Sequence, residues 1–318
     1  MAAMLDRSVG LGTRTFDVVA ARAEQRARAV VPPPWAGGTV TDLLVPRPAG
    51  ELAVPVRLYR PAGPDVAYPL VFFHGGGWVA GSLDTHDNVC RELATGSGAA
   101  VVAVDYRLAP EHPFPAALDD GYAVIGWIRD RAADLGVDAA RMGVCGDSAG
   151  ANLAAVLPMV LRDRGARQVD LQALFYPVTD ASLASASYAE FADGGGYVTR
   201  SQMAWFWEQY LDGADPDDPY ASPVRGDVNG LPAALVMVAE CDPLRDEGVA
   251  YAARLAAGGI DVDMVRCDGL YHGFLGLVGL LDEARAACDQ ACEWIRRTLG
   301  RARSGGVGGA GPGSGVAG

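Results

Sequence analysis

The chain is 318 residues long, half of them hydrophobic and a fifth charged, with a net charge of −13 at pH 7. That length can bury a large core, as one big domain or two small ones. The acidic balance, with a sequence pI near 4.7, argues against nucleic acid or an anionic membrane surface as a partner, because neither offers complementary charge. The apolar runs break well short of membrane-spanning length. The stretch from Met1 to Val30 carries Asp6, Asp17 and Glu24 among its basic residues, where a secretory signal needs an uninterrupted apolar core. The expected location is the cytoplasm.

In chain order, residues 1–38 open with a helix-like segment that the prolines before Trp35 bring to an end. Thr39–Val45 and Leu52–Arg60 read as an antiparallel strand pair joined by a turn. Pro69–His74 and Ala99–Arg107 are apolar runs of the kind buried on both faces of a sheet. A helix is expected over 115–136, with Leu118, Tyr122, Ile125 and Ile128 or Arg129 at helical spacing. Arg141–Cys145 is another buried strand, and 151–165 the helix after it. Pro158 should kink or break that helix, because it removes a backbone donor. Further strands are Val169–Tyr176, Ala233–Glu240 and Asp261–Cys267; helices are expected over 246–259 and Asp282–Leu299.

Strands alternating with helices predict an α/β fold, with a mainly parallel central sheet covered on both faces. Residues 179–222, rich in aromatics and turn formers, read as helices plus loop inserted between two strands. Together with residues 1–38 they are expected to cap one edge of a catalytic domain spanning 39–300. The cap aromatics Tyr197, Trp205, Phe206, Trp207 and Tyr210 read as cap core ahead of ligand contacts. The Gly-rich stretch 301–318 is expected to be disordered. The six cysteines (Cys90, Cys145, Cys241, Cys267, Cys288, Cys292) contain no C-x-x-C pair and are too sparse for a disulfide framework. Cys288 and Cys292 lie four apart on a predicted helix with no histidine beside them, which reads as core packing rather than a metal site.

The chemistry centres on Gly146-Asp147-Ser148-Ala149-Gly150. A G-x-S-x-G string alone is weak, but this one follows a predicted strand and opens a predicted helix, the setting of a nucleophile elbow. A Cβ at Gly146 or Gly150 would clash in so sharp a turn. The helix N-terminus behind Ser148 aims amide donors at developing negative charge. His74-Gly75-Gly76-Gly77-Trp78, at the end of another predicted strand, leaves glycine amides free to converge on an oxyanion. Of the four histidines, His74 belongs to this glycine motif, and His86 and His112 lie early in the chain. His272 follows the last predicted strand, in a loop where α/β sites form, and is the candidate general base. Asp242 comes first after the strand ending at Glu240 and is the candidate acid that orients it, with Asp246 the fallback. The order Ser148, Asp242, His272 is that of an α/β-hydrolase.

These residues resemble the hormone-sensitive-lipase-like (family IV, GDSAG type) esterases of the α/β-hydrolase superfamily. The resemblance runs from the strand pair near residue 40 to about residue 298. It rests on the stretches 72–94, 101–120, 146–155, 242–248 and 271–274. The second of these, containing Tyr106-Arg107-Leu108-Ala109-Pro110-Glu111-His112-Pro113, is typical of the family but has no catalytic logic evident from its residues. The resemblance implies a Ser148–His272–Asp242 triad and an oxyanion hole of the Gly75, Gly76 and Ala149 amides. It also implies a helical cap, hydrolysis of small esters with short to medium acyl chains through an acyl-enzyme, no metal or organic cofactor, and often a homodimer. Ala151 replaces a usual glycine, and Pro158 is also unusual. A lactonase, a deacetylase or a dehydratase could use the same site, the acyl pocket and cap making the difference. Non-catalytic receptors within the family lack the catalytic histidine, whereas His272 is present here.

Overall fold

Eight strands pair into one sheet in the computed structural model, which describes residues 16–28, 35–47, 51–63, 67–191 and 198–300. They are β1 (Gly38–Val45), β2 (Val54–Pro61), β3 (Pro69–Phe73), β4 (Ala100–Val104), β5 (Gly143–Asp147), β6 (Leu171–Phe175), β7 (Ala233–Cys241) and β8 (Val262–Tyr271). Their order is β1-β2-β4-β3-β5-β6-β7-β8. β2 runs antiparallel to both β1 and β4, and every pairing from β4 through β8 is parallel. Each of the eight matches a strand expected from the sequence. The tail from Arg301, and Tyr197 of the insertion, lie outside the described residues.

The central strands β3 to β6 are buried at every position, as runs without polar alternation require when helices cover both faces. Side chains still alternate between faces. Val71 and Phe73 join one apolar cluster, and Leu70 and Phe72 join the other. The first cluster takes in α3 (Ala116–Asp130), α5 (Ala149–Asp163) and α8 (Arg245–Ala257); the second takes in α2 (Asp87–Ser97) and α9 (Asp282–Gly300). Each fully buried Leu or Phe of this kind contributes about 1.5–3 kcal/mol by leaving water. Cys288 and Cys292 are buried in the second cluster, Cys292 Sγ reaching the Glu92 carbonyl of α2 at 3.8 Å.

Three local features depart from the sequence-based expectation. Helix α2 was not expected, although Val89, Cys90, Leu93, Ala94 and Ser97 form its buried face at helical spacing. It ends at Gly98, whose φ of 72° closes the last turn in the left-handed region. Helix α5 continues through Pro158 to Asp163, so the expected break does not occur; burial of every residue from Ala149 to Leu161 holds the helix together despite the lost donor. Strand β8 runs past Cys267 to Tyr271, which brings the chain straight from its last paired residue to His272. The short helix α4 (Ala132–Leu135) closes the connection into β5, while α1 (Val18–Arg28), α6 (Ala186–Glu190) and α7 (Arg200–Leu211) belong to the segments outside the strand–helix alternation.

Candidate active site

Four parallel strands deliver the site, each through the residue after its last. Phe73 of β3 leads into His74, Asp147 of β5 into Ser148, Cys241 of β7 into Asp242, and Tyr271 of β8 into His272. Side chains at the carboxyl ends of adjacent parallel strands face the same edge of the sheet, so distant stretches of sequence converge there. Ser148 stands at φ 55°, ψ −119°, a conformation rarely adopted by a residue with a Cβ. Its N–H donates to the Phe175 carbonyl at 2.9 Å, which fixes the turn. Space for the turn comes from the two glycines beside it: a Cβ on Gly150 would run into the Phe73 carbonyl, and one on Gly146 into the carbonyl of Gly150.

Ser148 Oγ lies 2.9 Å from His272 Nε2, and His272 Nδ1 lies 2.8 Å from Asp242 Oδ2. An ionised carboxylate only accepts, so Nδ1 carries the proton and Nε2 is left to accept from the serine hydroxyl. Asp242 is fully buried, and its other oxygen accepts the Leu244 N–H at 2.9 Å, which locks the carboxylate plane. The Tyr176 ring meets the His272 imidazole edge-on, with centroids 4.8 Å apart. Asp246 does not reach His272. Its two oxygens accept from the Ser187 N–H at 2.9 Å and Arg245 Nε at 2.8 Å, so it ties α6 to α8.

The oxyanion side differs from expectation at one residue. The Gly75 N–H donates to Asp147 Oδ1 at 2.8 Å, deep in the protein, so this amide is not free for a substrate oxygen. Among the described residues, the amides of Gly76, Gly77 and Ala149 carry no protein acceptor. The glycine motif thus presents its second and third amides rather than its first. Sequence alone could not separate them, because the choice depends on a carboxylate 72 residues away. His74 beneath this loop is neutral: burial, with His86 beside it, pushes its pKa down to about 3.

The stretch after β4 that lacked a catalytic logic is the underside of the same loop. Tyr106 stacks on His74 with centroids 4.3 Å apart and donates its hydroxyl to the His74 carbonyl at 2.7 Å. The Ala109 N–H donates to the Trp78 carbonyl at 2.9 Å. From α1, Arg22 donates Nε to the Val79 carbonyl at 2.9 Å and Nη2 to the Ala109 carbonyl at 3.2 Å. The guanidinium is also clamped in two places by Glu111, at 2.8 and 2.6 Å. Arg22 holds the Glu111 carboxyl down at about 2. Beyond them the Phe114 N–H donates to the Tyr210 carbonyl of α7 at 2.7 Å. Arg22 had no signal in the sequence beyond its place in a helix-like segment.

The aromatics of the insertion pack inward. Trp78 stacks on Tyr210 at 4.2 Å and tilts against Trp207 at 4.5 Å, and the Phe206 ring fills the space where a Cβ of Gly77 would sit. Trp205 stacks on Phe16 at 5.8 Å, joining the insertion to the N-terminal segment. A cavity of about 430 Å3 opens beside α1, lined by Arg22, Ser82, Tyr106 and His112 among others. None of Ser148, Asp242 or His272 lines it, so it is not where the hydroxyl acts.

A strand-ended serine, histidine and aspartate on this sheet define an α/β hydrolase. The chain belongs to the alpha/beta hydrolase fold family, which matches it over residues 70–276. Among curated proteins it is 43% identical to the carboxylic ester hydrolase LipN of Mycobacterium tuberculosis, over 90% of this chain and 77% of that protein. It is also 43% identical to the ethyl acetate hydrolase of Pseudomonas putida, over 82% of this chain and 83% of that one. Among solved structures, a thermostable esterase from Pseudomonas putida superposes with a TM-score of 0.87 at 36% identity, covering 93% of this chain and 96% of that one.

Proposed function

We propose that this α/β hydrolase is a carboxylic ester hydrolase of the hormone-sensitive-lipase-like, GDSAG type, with Ser148 as nucleophile. The observation that carries the assignment is the continuous relay from Ser148 Oγ through His272 to Asp242, with contacts of 2.9 and 2.8 Å. His272 Nε2 takes the hydroxyl proton as Ser148 attacks the ester carbonyl, and Asp242 holds the tautomer and steadies the imidazolium that forms. The amides of Gly76, Gly77 and Ala149 hold the tetrahedral oxyanion; losing one such donor typically costs about 100- to 1,000-fold in turnover. His272 then hands its proton to the leaving alcohol, and water repeats the cycle on the acyl-enzyme.

The described residues of the 1–38 and 179–222 segments act as the cap, and small esters with short acyl chains are the expected substrates. The Phe206 ring fills the space above Gly77 and Trp78 stacks on Tyr210, and the named activity of the Pseudomonas putida relative is on ethyl acetate. Six free cysteines suit a reducing cytoplasm. The test is hydrolysis of p-nitrophenyl acetate, butyrate and longer esters by the wild-type chain and by Ser148→Ala. The wild type should favour the two short esters. The variant should lose activity by about 10⁴-fold or more with unchanged thermal unfolding. Undiminished activity in Ser148→Ala would remove the serine mechanism.

A further inference from the structure

The insertion grips the loop of the catalytic acid at a point the relay described above does not use. Ser187, in α6, is fully buried, and its Oγ lies 2.6 Å from the carbonyl oxygen of Pro243, the residue after Asp242. A carbonyl only accepts, so the hydroxyl hydrogen lies in that bond. The same Oγ accepts the Asp246 N–H at 3.2 Å, while the Ser187 N–H donates to Asp246 Oδ2 at 2.9 Å. The Pro243–Leu244 peptide held in this way is the one whose N–H, on its other edge, donates to Asp242 Oδ1 at 2.9 Å. Asp242 Oδ2 then meets His272 Nδ1 at 2.8 Å. A peptide unit is planar, so fixing its carbonyl fixes the direction of its N–H. The proline ring sets φ at residue 243, which leaves the plane to turn about ψ of Pro243 and φ of Leu244. The Ser187 hydroxyl restrains that turn.

We propose that Ser187 is a positioning residue for the catalytic acid: it acts on Asp242 through the Pro243–Leu244 peptide and so ties the insertion to the relay. The role rests on the ester hydrolase function above. The Ser187 hydroxyl, the peptide and the Asp242 carboxylate stand in series, an arrangement in which each hydrogen bond polarises the next. That chain strengthens the Leu244 N–H as a donor. It also holds the carboxylate plane at the angle that keeps the His272 proton on Nδ1. Ser187, Asp242 and Leu244 are all fully buried, so water does not compete for these bonds.

A residue that acts through Asp242 should matter only while the carboxylate is there. The test is kcat and KM for p-nitrophenyl acetate in the wild type, in Ser187→Ala, Ser187→Thr and Asp242→Ala, and in the Ser187→Ala, Asp242→Ala double variant, with thermal unfolding of each. Ser187→Ala should lower kcat by about 10- to 100-fold, the scale on which a displaced catalytic group costs rate, with KM within about threefold. Ser187→Thr keeps the hydroxyl, and its kcat should stay within about threefold of the wild type. In the Asp242→Ala background, Ser187→Ala should change kcat by less than about twofold, because nothing is left for the peptide to hold. A serine that only stabilised the fold would cost the same in both backgrounds. A loss of equal size in the two backgrounds, a change confined to KM, wild-type kcat in folded Ser187→Ala, or Ser187→Thr as slow as Ser187→Ala would each overturn the proposal. Should Ser187→Ala not fold, Ser187→Cys decides, since a thiol keeps the volume but is a weak donor. A lowered kcat at unchanged KM then upholds the role, and wild-type kcat overturns it. A wild-type chain that hydrolyses no ester overturns the function itself and this role with it, which separates that failure from the others.

Discussion

The two walls of the site are built in different ways. On one wall Ser148, Asp242 and His272 each follow the last residue of a parallel strand, and their contacts of 2.8 and 2.9 Å are set chiefly by those strand ends. On the other, the glycine loop from His74 to Val79 is held by side chains from elsewhere. Asp147 takes an amide, Tyr106 and Arg22 take carbonyls, and Phe206 fills the space over Gly77. The first wall inherits its geometry from the sheet, whereas the second depends on a set of separate contacts. Substitutions in the first should therefore act through chemistry, and substitutions in the second through alignment.

The sharpest way to break that contrast is at the acid. Asp242→Asn should lower kcat by about 10³- to 10⁴-fold, by forcing the wrong imidazole tautomer. Asp246→Asn, which disturbs only the link between α6 and α8, should stay within a few-fold, as assayed on p-nitrophenyl butyrate. Equal losses would mean that the acid is not fixed by its strand end. On the second wall, Arg22→Ala removes two hydrogen bonds from a guanidinium to carbonyls. One charge-assisted bond is worth about 1.5–3 kcal/mol, so kcat/KM should fall by about tenfold or more, with Arg22→Lys recovering part of it. No change in kcat/KM would show that the loop holds its shape without α1.

The smallest expected effect concerns stability. Glu247, buried at the start of α8 with its Oε1 accepting the Thr179 N–H at 2.7 Å, has its carboxyl pushed well above the usual range by burial. It keeps its proton when folded and loses it when unfolded above about pH 4.5, so the native state binds more protons and stability falls as pH rises. Glu247→Gln removes that dependence. Its Tm should exceed that of the wild type by about 2 °C or more at pH 8, with a smaller gap at pH 5. A gap that shrinks as pH rises would mean that Glu247 is ionised in the folded chain.

The same contrast accounts for what could be read in the sequence. The central strands were legible because continuous apolar runs report burial directly, and Ser148 and Asp242 were legible as candidates because each closely follows such a run, whereas His272 was reached as the histidine after the last expected strand. Helix α2 was missed although its apolar spacing is clear, since Gly96 and Gly98 and the polar stretch before it suggest a loop. The free amides were misassigned by one residue, because Gly75, Gly76 and Gly77 are identical until Asp147 distinguishes them. The Tyr106–Pro113 stretch was recognisable but unexplained, because its task is to hold backbone carbonyls of another loop. Contacts of that kind leave no period and no spacing in the chain.

The most direct test is pre-steady-state hydrolysis of p-nitrophenyl acetate, followed by mass spectrometry of the quenched protein. A burst of one p-nitrophenol per chain, with the acetyl group on the peptide holding Ser148 and no burst in Ser148→Ala, is the predicted result. Turnover without a burst and without a labelled serine, persisting in Ser148→Ala, would contradict it.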